Sequence, residues 1–259
     1  MIVLCCPEKA ARQQGEERIQ NAAGRIPAQW QRHRKPPKKT RTGKGIKMNK
    51  ENEVLKELID CFGEQNKPKK GAMTVEAAIE KAYADMSRRA KGHTPDVKKE
   101  ALKELKKIFD EIPSFNDEEA FDKWHEESCE KLRNAKLPNG FIITYGRAQK
   151  VINMTFKYLM YSDTPHADAH DFCHMALDSY TLAWYKRKVD KDKKNYAWSK
   201  IDDYGEYRKI QDNIRGYLGE DASYSMDDKW QSNTETVSLP EQPILAEFIV
   251  WEGEKLRRK

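Results

Sequence analysis

Three of the six histidines stand at four-residue intervals in one short stretch, Thr164-Pro165-His166-Ala167-Asp168-Ala169-His170-Asp171-Phe172-Cys173-His174. The stretch also carries two aspartates and a cysteine, and no other segment gathers as many groups able to hold a metal or move a proton. With Thr164 as N-cap and Pro165 as the first helical residue, a helix is expected here. Positions four apart drift by only ~40° at 3.6 residues per turn, so His166, His170 and His174 share one face. Neutral imidazoles so arranged are the geometry that holds a divalent metal such as zinc, with Asp171 as the adjacent carboxylate. A second candidate site is anionic in preference. Arg147 and Lys150 follow Gly146 at the start of another expected helix, where unpaired N–H groups and the positive dipole end favour a phosphate or carboxylate. Spaced three apart, the two cations face one way.

His170-Asp171-Phe172-Cys173-His174 resembles the HExxH of zinc peptidases, with Asp in place of Glu. The departure shortens the general base by one methylene, and no third ligand follows at that family's spacing. His170-Asp171 also resembles the paired His-Asp of HD-type phosphohydrolases, which would nominate His125 and one of Asp202, Asp203 or Asp212 as partners. Ala169 before the pair and Phe172-Cys173 after it do not supply the usual setting of that pair. The reading the residues favour is plainer: His166 exposed near a helix start, with His170 and His174 half-buried and hydrogen-bonded beside Phe172 and Met175.

Other catalytic patterns are missing. There is no GxSxG elbow, no Walker loop and no dinucleotide fingerprint. Cys173 beside His174 is not a dyad, because neighbours on a helix point ~100° apart. Trp184, Tyr185, Tyr196, Trp198, Tyr204, Tyr207, Tyr217 and Tyr224 interleave with lysines in a way that suits single-stranded nucleic acid. Asp190, Asp192, Asp202, Asp203, Glu206 and Asp212 lie among them and would repel a phosphate backbone, so these aromatics are expected in the core.

The elements that must position such residues read as helices. Thr74 and Thr94-Pro95 are cap signals ahead of the stripes Val75, Ala78, Ile79, Ala82, Tyr83, Met86 and Leu102, Leu105, Ile108, Phe109, Ile112. An earlier helix carries Val54, Leu55, Leu58, Ile59 and Phe62. Asn116-Asp117-Glu118-Glu119 reads as a capping box, with Phe115 stapled onto Ala120. Phe141-Ile142-Ile143-Thr144-Tyr145 is the one convincing β-like run. Helices follow with Val151, Ile152, Phe156 and Leu159 inward, then the histidine helix, one starting at Asp178, one from Ile201 to Leu218, and a last one opened by Pro240 or Pro243. The residues 220–238 read as a polar loop. The expected fold is all-α, an irregular array of about eight or nine amphipathic helices, with room for one short β-like segment at 141–145.

Charge divides the chain. Residues 1–47 hold twelve Lys and Arg against Glu8, Glu16 and Glu17, whereas the residues from Met48 onward hold 36 basic and 39 acidic side chains, a net of −3. The basic stretch lacks apolar periodicity and reads as a disordered leader. Gly43-Lys44-Gly45-Ile46-Lys47 can be encoded as GGA AAG GGG ATA AAA, placed like a bacterial ribosome-binding site, so Met48 is the expected start and 48–259 the single helical domain. No apolar run spans a bilayer, and the odd set Cys61, Cys129 and Cys173 suits reduced thiols in a bacterial cytoplasm. The function expected is binding of a protein partner or small anionic ligand. A metal-dependent hydrolase built on the histidine helix, or a nucleic-acid-associated protein, stands as the alternative, with nucleic acid disfavoured for the net-acidic body.

Overall fold

Local capping chemistry starts most of the helices. The computed structural model describes residues 53–68, 71–88, 90–160, 169–190, 195–219, 221–226 and 235–258, all within the unit Gly45–Lys259. Helix α1 (Glu53–Asn66) buries Leu55, Leu58 and Ile59. Thr74 caps α2 (Val75–Ser87) by accepting from the Ala77 N–H at 3.2 Å, and Thr94 caps α3 (Pro95–Asp110) with Pro95 in the first turn. Asp117 caps α4 (Glu118–Arg133), accepting from Ala120 N–H at 2.8 Å. The cap is therefore one residue later than the expected box. Phe115 packs on the rings of Phe121 and Trp124 at 5.2 and 5.5 Å, aromatic partners that offer more apolar contact than the exposed Ala120 methyl.

Helix α5 (Tyr145–Leu159) is the axis of the fold, and apart from Arg147 every residue from Gly146 to Leu159 is buried. A helix so enclosed is expected to be apolar all round. This one buries Gln149, Lys150, Asn153, Thr155 and Lys157 as well, so each needs an internal partner. Its neighbours are α2, α4, α7 (Tyr204–Tyr217) and the short 3-10 turn Trp198–Lys200. The turn comes so close that a Cβ on Gly146 would lie 1.6 Å from the Trp198 carbonyl oxygen. Asp178 and Thr181 form a reciprocal capping box at the start of α6 (Ser179–Lys188), which packs with α1 and the hairpin against α8 (Pro243–Arg257).

The described residues are all-α apart from one antiparallel ribbon, β1 (Ser223–Met226) with β2 (Glu235–Ser238), in which Tyr224 faces Val237. It lies inside the stretch read as a polar loop. Among the side chains described, each strand has one buried apolar residue, Tyr224 or Val237, too few for a visible alternation. Tyr224 is held by Gly253 of α8, where a Cβ would stand 2.3 Å from the ring. The run at 141–145 is extended as expected but pairs with no strand; Phe141 and Ile143 turn inward, Ile142 is 59% exposed, and Tyr145 already belongs to α5.

The expected histidine helix is corrected. His166 and Asp168 lie outside the described residues, and of the rest only Ala169–Asp171 form a 3-10 turn before residues 173–178 run extended to the cap of α6. Two buried glutamines explain why. Gln211 accepts from Met175 N–H at 3.2 Å and donates to Met175 C=O at 2.9 Å, and Gln149 does the same for Leu177 at 3.0 and 2.9 Å. Side-chain amides thus satisfy the backbone groups that a helix would have satisfied itself. The 1–47 leader also lies outside the described residues.

Candidate functional site

His174, in that extended segment, reaches the most elaborate polar cluster of the fold. Its Nε2 stands 2.5 Å from Asp122 Oδ1 on α4, and its Nδ1 2.8 Å from the Tyr207 hydroxyl on α7. Arg215 grips the same carboxylate with two N–H bonds of 2.8 and 3.0 Å, and Arg208 reaches it at 2.7 Å. Asn153 donates to the Tyr207 oxygen at 3.0 Å. The only tautomer that serves all these contacts has His174 Nε2–H donating to Asp122 while Nδ1 accepts from the Tyr207 O–H. His125 lies against both, its ring 4.7 Å from His174 and stacked 5.3 Å from Tyr207, with Tyr204 Oη 2.9 Å from its Nδ1.

Burial sets the protonation of the cluster. It lowers the His174 pKa to about 4, overcoming the Asp122 hydrogen bond that acts to raise it, and pulls His125 well below 6.5. The Asp122 carboxyl is also desolvated, which alone would raise its pKa. Hydrogen bonds from His174 and Arg215 outweigh that and hold it well below the usual carboxylate range. An Asp-His-Tyr line of this kind has the order needed to move a proton. Yet His125, His174 and Tyr207 are fully buried, so no solvent or substrate meets the hydroxyl in this structure. The cluster ties α4, α7 and the 173–178 segment together.

The other expected ligands disperse. His170 Nε2 is 3.0 Å from the Phe156 carbonyl oxygen, whereas His174 meets Asp122, and Asp171 is exposed on its turn. Among the described residues, no three His, Cys, Asp or Glu side chains gather so as to hold a metal ion. Cys173 donates to the Ala169 carbonyl at 3.1 Å, and burial pushes its thiol pKa up.

Arg147 and Lys150 are also parted. Lys150 is buried in an ion pair with Asp178 at 3.0 Å, and Trp251 Nε1–H donates to the same oxygen at 3.1 Å. Burial works to lower its pKa, but Asp178 and Glu247 outweigh it and keep the ammonium charged. The helix start itself is closed to an anion: Thr144 Oγ1 accepts from Arg147 N–H, and the Ile201 carbonyl accepts from Gly146 N–H at 2.9 Å. Arg147 points elsewhere. Its guanidinium lies 5.4 Å from the Phe141 ring centre and donates to the Ile142 carbonyl at 3.2 Å.

There it lines an open groove of about 460 Å³ with Lys91, Gly92, Gly140, Phe141 and Ile142. Gly92 and Gly140 have φ of +79° and +64°, the left-handed backbone that lets two tight turns meet at the rim. Neither Lys91 nor Arg147 makes an ion pair with a described residue, while Asp202 opposite is engaged by Arg133. Sequence reasoning named Arg147 but missed Lys91 and the turn residues. Gly92 and Pro138-Asn139-Gly140 were visible as turn signals, but nothing in the chain order says that they adjoin.

No known protein family matches the chain, and no curated protein or solved structure does either.

Proposed function

We propose that this chain is a binding protein and that it takes a small anionic ligand in the groove between the turn at Lys91-Gly92 and the segment 140–147. The observation that carries this reading is the pair of cations, Lys91 and Arg147, that line one groove without an acidic partner among the described residues. Unneutralised positive charge in a concave site raises the local concentration of anions, and a guanidinium held over a ring presents its remaining N–H groups in a fixed fork. The polar core supports the same reading from the other side. His170 and His174 have hydrogen-bonding partners and are buried, so neither offers a free imidazole to a ligand.

Calorimetric titration with inorganic phosphate tests the proposal. Saturable binding at one site is expected, weakened about tenfold in Lys91→Ala and in Arg147→Gln, the loss of one charge-assisted hydrogen bond. Absence of saturable binding, or binding unchanged in both variants, contradicts it.

A further inference from the structure

The lining of the groove includes a dipeptide that can react with itself. Asn139 and Gly140 belong to the turn Pro138–Gly140, are both exposed, and both adopt the left-handed backbone, with φ of 57° and 64°. Among the described asparagines, Asn66, Asn134, Asn153, Asn195 and Asn213 have their side-chain amides in hydrogen bonds. The amides of Asn139 and Asn116 bond to no described residue. Asn116 precedes Asp117, whose side chain crowds the next backbone nitrogen, whereas Asn139 is the one asparagine in the sequence that glycine follows. A Cβ built on Gly140 would meet nothing within 4 Å, so the backbone there has room to turn.

We infer that Asn139 is a site of spontaneous deamidation, and that the acid it leaves turns anions away from the groove; the second half rests on the groove reading. The Gly140 backbone nitrogen attacks Asn139 Cγ and the new C–N bond closes a succinimide ring. The Cγ–Nδ2 bond breaks, and ammonia leaves with the proton that the Gly140 nitrogen gives up. Water then adds to either ring carbonyl and opens the ring to an aspartate or an isoaspartate. The balance is a water consumed and an ammonia released, with no other reactant. Glycine favours the attack because its nitrogen carries no crowding side chain and its backbone rotates through both signs of φ. Either product puts a negative charge where a neutral amide stood. The lining already holds Asp202, paired with Arg133, beside the cations Lys91 and Arg147. A second carboxylate removes the surplus of positive charge that draws an anion in.

The test incubates the full chain at neutral and at mildly alkaline pH, follows each asparagine by peptide mass mapping, and titrates the same samples with inorganic phosphate. Asn139 should exchange its amide for an acid before Asn66, Asn116 or Asn134, and faster at the higher pH, where the attacking nitrogen loses its proton more readily. Phosphate affinity should fall in step with that conversion, by about fivefold when it is complete. Freshly prepared Asn139→Asp should show the same loss at once. Asn139→Gly, which suits the left-handed backbone and has no amide to lose, should keep its affinity through the incubation. An Asn139 that stays intact while Asn116 converts overturns the modification site. Full conversion with phosphate affinity unchanged, and Asn139→Asp binding like wild type, overturns its effect on the groove. Fresh wild type that binds no phosphate overturns the groove reading and that effect together, while the mass map judges the modification on its own.

Discussion

Lowering the pH from 7 toward 4 should destabilise this protein steeply, because two fully buried histidines are neutral in the fold. His174 has a folded pKa of about 4 against an ordinary 6.5. Between those values the unfolded chain binds a proton that the folded chain refuses, so stability rises with pH across the window and falls as acid is added. A difference of about 2.5 pK units at 1.36 kcal/mol each gives roughly 3 kcal/mol lost by pH 4 from His174 alone. His125 is displaced in the same direction. Together the pair sets a maximum slope of about 2.7 kcal/mol per pH unit, a large share of the ~5–15 kcal/mol that holds a domain. Asp122 acts lower down. Its depressed carboxyl contributes stability above about pH 4 that is lost only as pH falls further toward its folded value. Urea unfolding followed by tryptophan fluorescence at half-unit steps from pH 7.5 to 5 measures the slope. His174→Gln should flatten it by about one proton. A flat profile from pH 7 to 5 in the wild type would refute the assignment of both rings as neutral and closed.

Two further perturbations probe the packing that positions the groove. Gly146→Ala places a methyl group 1.6 Å from the Trp198 carbonyl oxygen, so the 3-10 turn must move away from α5; a loss of about 3 kcal/mol is expected in chemical denaturation, and a loss below about 0.5 would show that the turn yields freely. Lys157 is buried 3.2 Å from Glu247 and 4.0 Å from the centre of the Phe248 ring. Lys157→Met strands the Glu247 carboxyl and should cost about 3–5 kcal/mol, while Lys157→Met with Glu247→Leu should recover most of it; equal losses in the single and double variants would contradict the pairing.

What could be read from the chain was local. Thr74, Thr94 and Asp178 announce their helices because a cap and the N–H it accepts from are two or three residues apart, and Pro243 marks α8 because its fixed φ and missing N–H suit a first helical turn. The histidine stretch was misread because its backbone partners, Gln149 and Gln211, lie 28 and 36 residues from the amides they hold, a distance at which no periodicity operates. Lys150 reads in the chain as a second anion-holding cation beside Arg147, whereas Asp178, 28 residues on, pairs with it. Nothing local singles out Asp122 on α4, because its partners Arg208 and Arg215 come from α7. The groove shows the same division: its Gly92 and Gly140 turns were legible one at a time, and their meeting was not.

The central claim is that ligand contact occurs at the groove while the histidine cluster remains closed. Amide and arginine Nε resonances of ¹⁵N-labelled protein, followed while inorganic phosphate is added at constant pH and ionic strength, test it most directly. Saturating shifts should concentrate at Gly92, Gly140 and Arg147, including the Arg147 side chain, with His125 and His174 unmoved. Shifts that begin at His125, His174 or Tyr207, or no saturable shift near Arg147, would contradict the account.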